Sequence, residues 1–300
     1  MSAALLHHFA ADAAPAARLA DALQAHAALI EVHRFPDGES RVRVSETAST
    51  ALVYCSLNDP NGKLVELLLA AAALRDGGAA RVMLIAPYLG YMRQDIAFRP
   101  GEAVSQKVIG RLLADTFDGV LTIDPHLHRI ATLGEAIPDI PAIAISATPL
   151  LAAELTGASD TILAGPDSES HQWVSEVARL CGLPFLVGAK QRHGDRHVEV
   201  VYPEAGEIAG KRAVLVDDLI SSGRTLIEAA GALYAAGAAR VDALASHCLA
   251  SDADLAALGE AGIATIRATD SVAGDVNTIP SASLLADAIR DSGWLEASNP

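Results

Sequence analysis

Cysteine is scarce in this 300-residue chain: Cys55, Cys181 and Cys248 lie far apart, odd in number and without a CxxC spacing. Such a set supports neither a disulfide framework nor a thiolate zinc site, and each is expected to be a small buried apolar residue. Basic residues are also few. Lys and Arg number 22 against 37 Asp and Glu, a net charge of −15, which disfavours a nonspecific grip on nucleic acid or on an acidic membrane. A chain this acidic that handles polyanions must concentrate its cations locally. No apolar run approaches the roughly 20 residues needed to span a bilayer; the longest, near Leu67–Leu74, reads as a core helix. The amino terminus has no basic region ahead of its apolar residues and is broken by Asp12, so no secretory signal is expected and a cytoplasmic location is. No long Pro- or Ser-rich linker interrupts the sequence either.

What the chain does contain is apolar segments in regular alternation. At 51% hydrophobic, 300 residues suffice for two core-bearing domains. Strands are expected at Ala51–Ser56, Arg81–Ala86, Gly119–Ile123 and Ala142–Ser146. A second series is expected at Asp160–Leu163, Phe185–Val187, His197–Val201, Ala213–Val216, Val241–Ser246 and Ile263–Ile266. Helices fall between them. Lys63–Arg75 stops at Gly77-Gly78, and Ala103–Thr116 carries Val104, Val108, Leu112 and Phe117 along one stripe. Such alternation implies mainly parallel sheets flanked by helices, with ligands at the carboxyl ends of strands. A boundary near Ser146 divides the chain into residues 1–146 and 147–300, although the last helix, Leu284–Arg290, suits either half.

Residues 213–225 read AVLVDDLISSGRT, a buried strand, two adjacent carboxylates and a small-residue turn opening a helix. At that position Ser221, Ser222, Gly223, Arg224 and Thr225 aim backbone N–H groups, hydroxyls and a helix's positive end at one phosphate. Asp217 and Asp218 would repel phosphate and attract ribose hydroxyls or a hydrated divalent cation. Residues 87–107, PYLGYMRQDIAFRPGEAVSQK, place Arg93, Gln94, Asp95 and Arg99 in a Gly- and Pro-containing loop after a strand. Two guanidiniums there offer forks to phosphate oxygens; taken alone, the segment reads equally as a surface loop with incidental charges.

The loop 217–225 resembles the sugar-phosphate loop shared by type I phosphoribosyltransferases and ribose-phosphate pyrophosphokinases. Other segments decide between them. Residues 87–95 resemble the PYxxYxRQD signature of the pyrophosphokinases, FPDGES at 35–40 their FxDGE motif, and TIDPHLHR at 122–129 their DLH segment. CSLNDPNGKLVELL at 55–68, GPD at 165–167 and Lys190 with Arg192 follow the expected order, so the resemblance runs from about Phe35 to Leu285. It implies two tandem type I phosphoribosyltransferase-like α/β domains, the first on the ATP side and the second binding ribose 5-phosphate. It implies transfer of the β,γ-diphosphoryl group of ATP to the 1-hydroxyl of ribose 5-phosphate, giving 5-phosphoribosyl 1-pyrophosphate and AMP, with Mg2+ as cofactor and a homo-oligomeric assembly. Phosphoribosyltransferase activity and a catalytically silent regulatory relative are the alternatives.

Carried over position by position, the resemblance gives Phe35, Asp37, Glu39, Arg93, Gln94 and Arg99 to ATP. It gives His126, with His128 as its competitor, to metal, and Asp167 to a second cation or to the ribose hydroxyls. Asp217 and Asp218 go to the ribose hydroxyls, residues 221–225 to the 5-phosphate, and Lys190 and Arg192 to catalysis on a mobile polar loop. Departures from the family pattern are PDSES at 166–170 in place of a glycine-containing segment, Arg224 within the phosphate loop, and Gly101 where regulated members carry a basic residue. They leave open the geometry at Asp167, the part played by Arg224, and control by phosphate or ADP.

Overall fold

The computed structural model describes residues 4–127, 129–193, 197–202 and 205–296. The chain forms two compact units, one of residues 1–146 with 280–300, the other of residues 147–279.

In the first unit the strands are β1 (Ala4–His8), β2 (Ala27–Leu29), β3 (Glu31–Arg34), β4 (Ser40–Arg43), β5 (Thr50–Tyr54), β6 (Arg81–Ile85), β7 (Gly119–Ile123) and β8 (Ala142–Ile145). Six of them make one sheet in the order β2-β1-β5-β6-β7-β8, every pair parallel. β3 and β4 form a separate antiparallel hairpin. Every residue of β5 and of β7 is buried, as befits central parallel strands covered on both faces. The cover comes from helices α1 (Ala13–Leu23), α2 (Pro60–Asp76), α3 (Ser105–Thr116) and α4 (Leu133–Ala136). Helix α2 begins on Pro60, whose missing N–H costs nothing in the first turn, and is followed by Gly78 at φ 101°.

Helix α3 buries a different face from the expected stripe. Val108 is 60% exposed, whereas Gln106, Gly110 and Leu113 are buried. The reason is close approach. A Cβ on Gly110 would fall 1.8 Å from the Ala136 carbonyl oxygen of α4, and Gln106 donates to the Met92 carbonyl at 3.2 Å. This side of α3 is therefore small and polar to admit backbone.

The second unit contains α5 (Thr148–Ala153), β9 (Thr161–Gly165), α6 (His171–Cys181), β10 (Phe185–Val187), β11 (Ala189–His193), β12 (His197–Val201), β13 (Arg212–Ile220), α7 (Arg224–Ala235), β14 (Arg240–Cys248), α8 (Asp252–Glu260), β15 (Ile263–Thr269) and β16 (Asn277–Ile279). Its sheet runs β10-β9-β13-β14-β15-β16, again parallel, with β11 and β12 as a separate antiparallel ribbon. The chain then returns to the first unit through α9 (Ala282–Asp291), which packs on α1. Residues 280–300, given to the second half on sequence, thus group with the first. Arg290 donates to the Ala22 carbonyl, and Trp294, buried, lies where a Cβ on Gly119 would come within 2.9 Å of its ring. Arg81 holds the Trp294 carbonyl at 3.0 Å. Among the described residues all three cysteines are free, Cys55 and Cys248 buried.

One buried charge stands out in the first unit. Asp12 is 4% exposed and its Oδ2 has no hydrogen-bond partner. Burial lifts its carboxyl to about 6, against a smaller opposing pull from Lys63. A carboxyl raised on folding supports stability below its unfolded value near 3.8, and that support is lost as pH rises through about 6. Asp12→Asn is therefore expected to raise stability by about 3 kcal/mol near pH 8 and to leave it unchanged near pH 3. Thermal melts at the two pH values check this.

Candidate active site

Strand β13 sits between β9 and β14, in register Val216↔Leu244, Asp217↔Ala245 and Leu219↔His247. Sequence alone ended this strand at Val216; it continues to Ile220 because Leu219 and Ile220 are buried on sheet partners beyond the acid pair. Asp218, 5% exposed, and Asp217, half-buried, thus stand on strand backbone rather than in a turn. The Asp218 N–H donates to Asp217 Oδ1 at 3.0 Å. Burial first, then the charges of Asp218 and Asp167, hold the Asp217 carboxyl well above its usual range. Such a crowded acidic pair favours whatever brings donors or positive charge to it, which is what sugar hydroxyls or a divalent cation supply.

The turn after β13 is compact. Gly223 caps α7 at φ 70°, and a Cβ there would lie 2.8 Å from three side-chain carbons of Leu258, so only glycine fits. Helix α7 opens one residue earlier than Thr225, at Arg224. Ser221 and Thr225 are half-buried and Ser222 exposed, and the first N–H groups of a helix have no partner within it, which suits an anion. Arg224 is different: its side chain is 87% exposed and reaches back to Glu228, 3.6 Å away, one helical turn on.

Asp167 follows β9 and Pro166. Its Oδ1 accepts the Glu169 N–H at 3.1 Å, and its carbonyl accepts the Ser170 hydroxyl at 2.6 Å. The serines of PDSES therefore fold a short 3-10 turn, Ser168–Ser170, that fixes Asp167 near enough to Asp217 to raise that carboxyl. The polar stretch KQRHGDR, expected to be a loop, is mostly ribbon: Lys190 pairs with Val200 and Arg192 with Val198. The side chains of Lys190 and Arg192 lie outside the described residues, as do residues 194–196 and His128.

In the first unit the loop from Ala86 to Val104 follows β6 and carries the RQD sequence. Its ends are tied: Gln94 Oε1 accepts the Ser105 hydroxyl at 3.3 Å, and the Gln106 N–H donates to the Gln94 carbonyl at 3.3 Å. Arg93 and Arg99 are exposed, Arg99 on a turn whose N–H groups at 98 and 99 are held by the Glu102 carboxylate. Asp95, with 2% of its side chain exposed, pairs with Arg129 at 2.7 Å. That bond joins the RQD loop to the segment after β7 that bears half-buried His126. Phe35, Asp37 and Glu39 all lie exposed on the β3–β4 turn, where the ring of Phe35 meets His33 edge-on at 4.7 Å and Asp37 holds the Glu39 N–H.

Two family models match the chain, the N-terminal domain of ribose phosphate pyrophosphokinase over residues 6–116 and the phosphoribosyl transferase domain over residues 134–257. A curated ribose-phosphate pyrophosphokinase from Methanopyrus kandleri is 36% identical over 279 residues, 91% of this chain and 94% of that protein. The chain belongs to the ribose-phosphate pyrophosphokinase family. Another member, from Methanothermobacter thermautotrophicus, is 33% identical over 92% of this chain and 96% of its own length. The crystal structure of phosphoribosylpyrophosphate synthetase from Mycobacterium smegmatis superposes with a TM-score of 0.81 at 26% identity, covering 96% of this chain and 98% of that one. A phosphoribosyltransferase alone would account for the second unit only. The Asp95–Arg129 pair, assigned no role on sequence, is a further candidate, because it ties the RQD loop to the segment that bears His126. Each partner closes one of the quoted motifs, but 34 positions separate them, and neither motif shows that the two side chains meet.

Proposed function

We propose that this protein transfers the β,γ-diphosphoryl group of ATP to the 1-hydroxyl of ribose 5-phosphate. The 1-hydroxyl oxygen attacks the β-phosphorus and gives up its proton to solvent, the bond from that phosphorus to the oxygen bridging to the α-phosphate breaks, and AMP leaves as 5-phosphoribosyl 1-pyrophosphate forms. One observation carries the proposal: the likeness to named ribose-phosphate pyrophosphokinases spans both units, 91% of the chain in one case, so the sugar-phosphate loop of the second unit comes with the RQD loop and hairpin of the first.

In this proposal Asp217 and Asp218 accept the ribose 2- and 3-hydroxyls, and residues 221–225 surround the 5-phosphate through N–H groups and hydroxyls. Arg224, turned to Glu228, contributes its backbone N–H. Arg93, Gln94 and Arg99 hold the ATP phosphates. Phe35 walls the adenine and Asp37 and Glu39 accept from its amino group; their exposure on a hairpin tip suits a contribution across a subunit contact in a homo-oligomer. Lys190 and Arg192 bring positive charge to the transferred group, where alignment and charge neutralisation supply most of the catalysis.

Among the described residues no three His, Cys, Asp or Glu side chains group as a metal cage, and this fits magnesium, which is held by one or two carboxylates together with substrate phosphates and water. Asp167 beside the crowded Asp217 on the sugar side and His126 on the ATP side are the residues that would hold it. Bound there with ATP, magnesium would neutralise phosphate charge. Among the described residues no helix is long and apolar enough to cross a membrane.

Incubation with ATP, magnesium and ribose 5-phosphate should release AMP only when all three are present; AMP release that ignores ribose 5-phosphate would contradict the proposal. Asp95→Asn weakens the tie to Arg129 and should raise the KM for ATP about tenfold, the scale of one charged hydrogen bond, while the KM for ribose 5-phosphate stays put. Equal changes in both constants would remove Asp95 from the ATP side.

A further inference from the structure

A cavity of about 410 Å³ opens in the first unit against the carboxyl ends of β1 and β5, bounded by Phe9, Asp12, Val32, Cys55, Lys63 and Glu66 among others. None of the residues given above to ATP, ribose 5-phosphate or metal lines it. Its size falls in the range of small-molecule sites.

The charged groups around it are not alike. Glu66, 6% exposed, is satisfied by Arg34 Nε at 3.0 Å and by the Ser40 hydroxyl at 3.2 Å. Lys63 Nζ is engaged by the Ser56 carbonyl at 2.6 Å and Asn58 Oδ1 at 2.7 Å. Asp12 receives the Ser56 backbone N–H, yet its Oδ2 accepts no hydrogen bond although the residue is 4% exposed. A buried carboxylate oxygen without a donor costs free energy. It stands at the N-cap position of α1 without a side-chain capping bond, so helix capping does not satisfy Oδ2.

The remaining wall is apolar. Phe9 and Cys55 are 7% and 1% exposed, and Val32 packs against the same core. Burial pushes the Cys55 thiol up, with the charge of Asp12 adding to the effect, so Cys55 acts as neutral surface and not as a nucleophile. What the cavity lacks is a hydrogen-bond donor opposite Asp12 and a body to cover the ring and thiol. An anion would meet two carboxylates, Asp12 and Glu66, while both nearby cations already have partners.

The geometry points to a binding site for a small organic cation, an amine or amidine on an apolar body, recognised by Asp12 in this cavity. The N–H donor pairs with the Asp12 carboxylate, which turns to meet it, and the apolar body lies over Phe9, Val32 and Cys55. Nothing in this depends on the pyrophosphokinase reaction.

Benzamidine is the probe and benzoate, of the same shape and opposite charge, its control. Calorimetric titration of the full chain should show saturable binding of one benzamidine per chain and none of benzoate. Asp12→Asn, which keeps an acceptor for the Ser56 N–H, should weaken benzamidine at least tenfold, about 1.4 kcal/mol. Val32→Phe, which keeps the charge and fills the wall, should weaken it as well. Thermal melts of both variants establish that they are folded, and amide shifts of Ser56 and Lys63 on titration place the probe. The proposal is overturned if wild type shows no saturable binding, if benzoate binds as well as benzamidine, or if folded Asp12→Asn keeps wild-type affinity.

Discussion

Lys190→Ala lowers turnover by roughly a thousandfold, the scale associated with one positively charged group acting on a transferred phosphoryl, while ATP binding changes by less than about threefold. The asymmetry is the informative part. A cation that serves charge developing only as the diphosphoryl group moves contributes to the rate and little to ground-state binding. Lys190 lies on the ribbon strand β11, opposite Val200, outside the RQD loop and outside the phosphate turn, so ATP should still be held without it. Steady-state turnover beside an equilibrium titration with ATP separates the two quantities. Near-normal turnover would remove Lys190 from the chemistry, and an equal loss of ATP affinity would make it a binding residue.

Asp217→Asn shows two effects of opposite sign. The KM for ribose 5-phosphate rises about a hundredfold, as expected when charge-assisted hydrogen bonds to substrate hydroxyls are lost, and stability at neutral pH goes up. Burial and the neighbouring charges of Asp218 and Asp167 raise the Asp217 carboxyl. A group raised on folding supports stability at low pH and loses that support as pH climbs through its folded value. The amide, with no charge to bury, escapes the penalty. A merely structural carboxylate would lose activity and stability together; gain of one with loss of the other marks a residue kept for its ligand. Melting temperature at neutral pH beside the KM for each substrate makes the comparison. A fall in melting temperature with unchanged KM would exclude Asp217 from the sugar site.

Much of this molecule is legible in its sequence because parallel strands buried on both faces are near-continuous apolar runs. Val120 to Ile123 and Ile162 to Ala164 need no partner to be recognised. The phosphate turn is legible for a related reason: hydroxyls, a glycine and an acid pair crowd into nine residues directly after such a run. What escaped is what departs from apolar periodicity. Strand β1 includes His7, fully buried with neither ring nitrogen hydrogen-bonded; burial, with His8 adding, lowers its pKa to about 4 and keeps it neutral, so a polar letter stands in a core strand. The β3–β4 hairpin is polar along most of its length and is set by its turn, with Gly38 at φ 93°. Helix α3 buries Gln106 and Gly110 because backbone approaches them, a tertiary fact that no helical wheel contains. The Asp95–Arg129 pair and the return of α9 to the first unit depend on partners 34 and more than 250 residues apart, beyond the reach of local patterns.

Transfer of two phosphorus atoms as one unit is the event that sets this chemistry apart from ordinary kinase action. Phosphorus-31 NMR of the chain with ATP, magnesium and ribose 5-phosphate follows it directly. The β and γ resonances of ATP should disappear together and reappear as the diphosphate of 5-phosphoribosyl 1-pyrophosphate, with one AMP formed for each. Appearance of ADP with a singly phosphorylated sugar, or of free pyrophosphate with no sugar diphosphate, would contradict it.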